Sequence, residues 1–302
     1  MADMNAYTPH RYRSACGKLD LFARIYPGDG PTLLLMHGLT RNSADFEPLI
    51  PHLLGHYRLI VPDQRGRGLS DYDPDAGNYR PDIYSTDMLA LLDSLSVARA
   101  GLIGTSMGGI MAMIMAAVQP QRFSAIVLND IGAELEQAGL DRIAGYVAPT
   151  DAAEDWDAAA RRAAAINAAA FPGFTHADWL AFARRTCREQ ADGSVALAYD
   201  PAIAAGLDSD EPSAVPPDLW PLWDALSAKP VLVVRGVLSD LLSAATVEAM
   251  AARHTGPFAA VHLPDRGHAP LLDEPEALGA IRAFLHSHVG PNGHADLHSH
   301  SG

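Results

Sequence analysis

Cysteine is almost missing from this chain: Cys16 and Cys187 are the only two in 302 residues. Two distant thiols without CxxC spacing cannot build a disulfide framework, and they fit the reducing, cytoplasmic setting that is expected here. Positive charge is scarce as well. Lys and Arg total 22 against 36 Asp and Glu, a net charge of −14. Such a surface repels phosphate backbones and anionic lipid, so neither nucleic acid nor membrane is an expected partner. A strongly anionic substrate would need a local basic pocket. The opening stretch MADMNAYTPHRYRS has no apolar run and no cleavage pattern, so no secretory leader is expected. The uncharged run at residues 100–118 approaches the length of a membrane span. It is broken by Gly101, Gly104, Thr105, Ser106, Gly108 and Gly109, which suits a strand, a tight turn and a buried helix better than a lipid-facing helix.

What is present is ordinary globular material, 48% hydrophobic and 19% charged, enough for one large domain with an inserted subdomain or for two small domains. Apolar runs at residues 32–36, 57–61, 100–103 and 125–128 read as strands. Residues 43–54, 82–95 and 107–118 read as helices, the first bent by Pro48 and Pro51. Strands that are apolar throughout and separated by helices predict a mostly parallel sheet covered on both faces, with its working groups at the carboxyl ends of the strands. The alternation stops near Ile131. Residues 152–170 are alanine-rich, Trp179, Phe182 and Ala183 fit a further helix, and Pro212, Pro216, Pro217 and Pro221 crowd a connector. Strand and helix patterns resume at 231–235, 247–253, 259–263 and 274–286.

Gly104-Thr105-Ser106-Met107-Gly108 matches G-x-S-x-G, with Gly109 following. An apolar strand enters it and a buried helix leaves it, the setting a nucleophile elbow needs: a strained turn that projects Ser106 Oγ, with neighbours small enough to let it form. A glycine-rich helix start that binds an anion is the plainer alternative.

With that motif, the segments His37-Gly38-Leu39, residues 63–70 (DQRGRGLS) and Gly267-His268 make the chain resemble the α/β-hydrolase superfamily over nearly its whole length. The resemblance implies an α/β fold with a core of residues 1–131 and 229–288, a helical cap at 132–228, and a flexible His-rich tail at 289–302. It also implies that Ser106 is the nucleophile and His268 the base, with Gly267 giving backbone freedom beside it. The acid is expected at Asp240, where the family usually places it, with Asp130 as the alternative carboxylate. Backbone N–H groups of Leu39 and Met107 are expected to form the oxyanion hole. His37 is assigned to packing and loop hydrogen bonds, and Asp63 is expected to pair with Arg65. An aspartate nucleophile, as in dehalogenases and epoxide hydrolases of this fold, is excluded by Ser106.

The expected activity is serine hydrolysis of a carboxylic ester or lactone of a small, apolar or aromatic molecule through an acyl-enzyme. No metal or organic cofactor is needed. Trp156, Phe171, Phe174, Trp179, Trp220 and Trp223 are candidates to line its pocket. Carbon–carbon hydrolysis, amide or aminopeptide cleavage and perhydrolysis use the same groups and stay open, as does a small-molecule receptor with a slow triad. His286, His288, His294, His298 and His300 match no standard zinc spacing.

Overall fold

A computed structural model describes residues 7–147, 151–206 and 218–290. The His-rich positions 294, 298 and 300 lie outside the described residues. Within them the chain runs β1 (Thr8–Arg13), β2 (Asp20–Tyr26), β3 (Thr32–Met36), β4 (Arg58–Asp63), α1 (Pro81–Ser94), β5 (Ala100–Thr105), α2 (Met107–Val118) and β6 (Phe123–Asn129). There follow α3 (Gln137–Val147), α4 (Trp156–Asn167), α5 (His176–Thr186), a hairpin of β7 (Cys187–Glu189) and β8 (Val195–Leu197), and α6 (Trp220–Ala225). The chain returns through β9 (Val231–Gly236), α7 (Ala244–Arg253), β10 (Phe258–Leu263) and α8 (Pro275–His288).

Eight of the described strands form one sheet in the order β1-β2-β4-β3-β5-β6-β9-β10. β2 is antiparallel to β1 and β4, and every other pairing is parallel. The period-two alternation of a strand divides the apolar runs between the two faces. Leu34, Met36, Ile126 and Leu128 pack on the side of α1 and α2, while Leu33, Leu35, Ala125 and Val127 pack on the side of α8. This is why β3 and β6 carry no polar alternation. Helix α2 is apolar all round because it is enclosed by β5, β6, α1 and α6.

The antiparallel edge β1–β2 went unread in the sequence because HRYR in β1 (its strand TPHRYR) lacks an apolar pattern, and its strand is largely exposed. Residues 43–54 form two short 3₁₀ turns, Ser43–Phe46 and Ile50–His52, instead of one bent helix. Pro48 and Pro51 cannot donate the backbone bonds a continuous helix needs. Inside the stretch expected to be inserted, α4, α5 and β8 share an apolar cluster with Phe171 and Trp179, which Leu271 joins from the loop after β10. Helix α6 behaves differently. It packs on α2, and the fully buried Trp223 donates its indole N–H to the Met250 carbonyl at 3.1 Å.

The DQRGRGLS loop after β4 is held by buried charge, though not by the expected pairing. Asp63 accepts the Ser43 N–H (2.6 Å) and the Leu69 N–H (2.8 Å). Arg65 instead grips Asp87 of α1 with two bonds of 2.8 Å and Asp73 with one of 2.6 Å. One guanidinium thus compensates two buried carboxylates, and those partners hold its proton more firmly than usual. Replacing Arg65 by Met would strand both acids. Such uncompensated burial costs about 3–5 kcal/mol, so the urea midpoint of R65M should fall sharply with an unchanged slope. An unaltered midpoint would show that the carboxylates are not held by this cation.

Candidate active site

The end of β5 meets the start of α2 at Ser106, whose backbone sits at φ 52°, ψ −118°. A non-glycine residue held there is strained, and the neighbours must leave room for so sharp a turn. A Cβ on Gly104 would lie 2.3 Å from the Gly108 carbonyl oxygen, and one on Gly108 would lie 2.0 Å from that of Met36. Glycine is therefore required at both positions because backbone approaches backbone. The turn holds Ser106 Oγ 2.9 Å from His268 Nε2.

His268 Nδ1 lies 2.9 Å from Asp130 Oδ2. The carboxylate that reaches the imidazole is thus Asp130, the alternative, and not the expected Asp240. Asp130 directly follows β6 in a left-handed conformation (φ 55°) and is fully buried. The loop after β9 wraps it. Gly236 N–H donates to Oδ1 at 2.8 Å, and Ser239 Oγ–H donates to Oδ2 at 2.5 Å. Ser239 Oγ in turn accepts from the Leu241 and Leu242 N–H groups. The loop that was expected to supply the acid supplies a hydroxyl that holds Asp130. Asp240, one residue on, turns outward to Arg142 of α3, with contacts of 2.5 and 2.8 Å. That guanidinium keeps the Asp240 carboxyl below the usual carboxylate range. No pattern in the sequence announced the pairing of Asp240 with Arg142, because it joins α3 to a loop about a hundred residues further along the chain.

An acceptor-only carboxylate at Nδ1 requires the imidazole proton on that nitrogen, which leaves the Nε2 lone pair facing the serine hydroxyl. The ring is nearly covered, and its loop is pinned from two sides. Asn129 donates to the Pro270 carbonyl at 2.8 Å, and Gly267 N–H donates to the Ala170 carbonyl at 2.8 Å. A Cβ on Gly267 would lie 2.8 Å from Ala170 Cα. The glycine before His268 serves close approach by Ala170, in the connection from α4 to α5, rather than the backbone freedom expected of it.

On the other side of Ser106, Met107 is the first residue of α2, so its N–H has no helical acceptor. The Leu39 carbonyl is held by buried Arg67, whose Nε donates to it at 2.9 Å while Nη1 donates to Tyr84 OH at 2.9 Å. Arg67 thereby sets the plane of the peptide next to the Leu39 N–H, a function the sequence motif did not reveal.

The family model for the alpha/beta hydrolase fold matches residues 31–275. The chain belongs to this family. It is a hydrolase in that family sense, similar along most of its length to the 3-hydroxybutyrate-oligomer hydrolase of Cupriavidus necator (33% identical, covering 86% of this chain and 89% of that protein). It is also similar to the 2-(acetamidomethylene)succinate hydrolase of Mesorhizobium japonicum (34% identical, 85% and 89% covered). Among solved structures, an alpha/beta hydrolase from Novosphingobium aromaticivorans superposes with a TM-score of 0.87 at 42% identity, covering 92% of this chain and 98% of that one.

The cavity of this hydrolase before Ser106 has an apolar wall of Ile110, Ile131, Leu135, Leu140, Ile143 and Leu241. Its aromatic surface comes from Tyr79, Tyr84 and Tyr146, none of which was singled out in the sequence. The expected aromatics lie elsewhere. Phe171, Phe174 and Trp179 pack against one another in tilted and edge-on contacts, Trp156 bonds Glu189, Trp220 lies 3.8 Å under Arg253, and Trp223 is in the main core. Aromatic residues are as useful for holding helices together as for facing a ligand. No helix among the described residues is long and apolar enough to cross a membrane. Likewise, no group of three metal-ligating side chains occurs among them.

His37, beside the serine, is entirely buried and has the structural bonds expected of it. Gln64 N–H donates to Nε2 (3.2 Å), so the proton is on Nδ1 and goes to the Gly38 carbonyl (2.8 Å). Burial pushes its pKa down from 6.5 to about 3. Between those values the unfolded chain takes up a proton that the folded chain refuses. Stability is therefore complete above about pH 6.5 and declines toward pH 3, by roughly 1 kcal/mol per unit from this group. Urea unfolding from pH 7 to 4 should show that decline, and H37Q should flatten it. Parallel curves for the two proteins would place the proton uptake elsewhere.

Proposed function

We propose that this hydrolase cleaves a small carboxylic ester by covalent catalysis, with Ser106 as nucleophile, His268 as base and Asp130 as acid. The observation that carries this reading is the unbroken hydrogen-bond relay from Asp130 through His268 to Ser106 Oγ, each link 2.9 Å long. His268 takes the hydroxyl proton as Oγ bonds to the ester carbon, and the Leu39 and Met107 N–H groups receive the oxyanion. Collapse of that intermediate breaks the bond to the leaving oxygen, which takes the proton back from His268. Water then repeats the sequence on the acyl-enzyme, giving its hydroxyl to the acyl carbon and its proton to Ser106 through the same imidazole. Asp130 fixes the tautomer and stabilises the transient imidazolium, while Ser239 and the Gly236 N–H keep Asp130 in place.

An apolar wall on one side of the serine supports an aliphatic acyl group. The likeness to a 3-hydroxybutyrate-oligomer hydrolase supports an ester, and that to a 2-(acetamidomethylene)succinate hydrolase supports cleavage of an acetamido group as a second reading. Residues 132–206, with α3, α4, α5 and the β7–β8 hairpin, serve in this proposal as the cap that selects the substrate. The soluble interior of a cell remains the proposed setting, in keeping with Cys16 and Cys187 as free thiols.

A fluorophosphonate probe should label the wild type and leave Ser106→Ala unlabelled. Labelling of the variant would defeat Ser106 as nucleophile. On an ester panel, Asp130→Asn should lose about 10⁴ in kcat, since an amide cannot accept the Nδ1 proton and favours the wrong tautomer. Asp240→Asn, which weakens only a part-exposed ion pair with Arg142, should stay within about tenfold of wild type. The reverse order would return the acid to Asp240.

A further inference from the structure

A second chamber adjoins the one before Ser106, and the two share Thr40, Arg41, Tyr146 and Asn167. Its far walls are α4, α5 and the β7–β8 hairpin, and the alanine-rich face of α4 makes it hollow. Ala159 and Ala163, one turn apart on α4, face it where larger side chains would fill it. The chamber begins close to the chemistry, because Thr40 and Arg41 directly follow Leu39 in the chain. Its charge is opposite to that of the protein. In a chain of net charge −14, Arg41 and Arg162 line it, and no Asp or Glu does among the described residues.

Arg41 is prepared for an anion. Its guanidinium carbon lies over Phe182, 4.1 Å from the ring centroid, on a largely buried side chain. The contact to Asp45 is a single bond of 3.2 Å to one nitrogen. That geometry uses little of the five-donor fork that could bind a carboxylate bidentately. Tyr199, also lining the chamber, is pushed up to about 12 by burial and so stays a neutral phenol.

Resting on the ester-hydrolase reading, we infer that this second chamber is a leaving-group subsite for a carboxylate-bearing alcohol, with Arg41 as the residue that selects it. The substrate class is then a linear oligoester of short hydroxy acids. Its acyl unit lies against the apolar wall of Ile131, Leu140 and Ile143, its scissile carbonyl lies at Ser106, and its acid end reaches Arg41. Hydrolysis releases the terminal hydroxy acid from the second chamber and a chain shorter by one unit from the first.

The test compares methyl butyrate, whose leaving group is methanol, with the linear dimer of 3-hydroxybutyric acid and the methyl ester of that dimer, each followed by NMR. Wild type should favour the dimer acid over its methyl ester by about tenfold in kcat/KM, the weight of one charge-assisted contact, and Arg41→Gln should abolish that preference. Ala163→Phe and, independently, Ile166→Phe fill the chamber and should raise KM for the dimer about tenfold more than for methyl butyrate. Circular dichroism identifies the folded variants. The inference is overturned if wild type treats acid and methyl ester alike, if it cleaves methyl butyrate but not the dimer, or if the folded variants lose both activities in equal proportion. Failure of wild type on all three esters would defeat the ester-hydrolase reading itself.

Discussion

The left-handed turn at Ser106 is the constraint around which the rest is arranged. It exists only because β5, α2 and the end of β3 approach at backbone distance, with Gly104 against Gly108 and Gly108 against Met36. That approach in turn needs α2 pressed into the sheet, and the uniformly apolar sequence of α2 provides this. The local strain of one residue is thus held by the burial of an entire helix. A helix N-terminus and a serine side chain consequently share one small volume at the carboxyl edge of the sheet, where the β3 and β6 loops also arrive.

The second organising interaction is the enclosure of Asp130. A buried carboxylate needs donors, since desolvation without hydrogen bonds is costly. Asp130 has three: the Gly236 amide, the Ser239 hydroxyl and the His268 ring. One comes from the last residue of β9, one from the loop after it and one from the loop after β10, so neighbouring strand ends converge on a single acid. Asp240 lies in a wetter environment, where Arg142 satisfies it and ties α3 to the same loop. Carboxylates only a short distance apart therefore have different work, because one is enclosed by neutral donors and a ring while the other is matched by a full cation.

Charge elsewhere follows the same logic. The acidic exterior coexists with buried cations, each with a defined task. Arg65 compensates Asp73 and Asp87, and Arg67 carries the Leu39 peptide and Tyr84. In the DQRGRGLS segment the two arginines diverge to opposite jobs although they are two residues apart. Arg41 sits over a ring at the junction of two chambers, where the positive charge inferred to meet a substrate acid is shielded from the bulk of the negative surface.

Much of this was readable from residue order. The apolar runs of β3, β5, β6 and β9, the all-round apolar α2, and the glycines around Ser106 are local signals, because burial on both faces and a tight turn each leave a periodicity or a small residue behind. Ser106 stood out for that reason and His268 through the family resemblance, and the structure brings them together. The identity of the carboxylate was not readable. Asp130 and Asp240 both follow apolar strands, and only the packing of α3 and the fold of the β9 loop make one face inward and the other outward. The pocket-lining tyrosines and the second chamber escaped notice because they are assembled from segments far apart in the chain, whereas Trp179 packs with Phe171 and Phe174 among the helices after β6 and Trp223 lies in the main core. Sequence alone determined what local sterics and hydrophobic period can encode. Tertiary structure decided which polar groups meet, since hydrogen-bond partners are chosen by proximity in space and desolvation, and neither is a property of neighbouring residues in the chain.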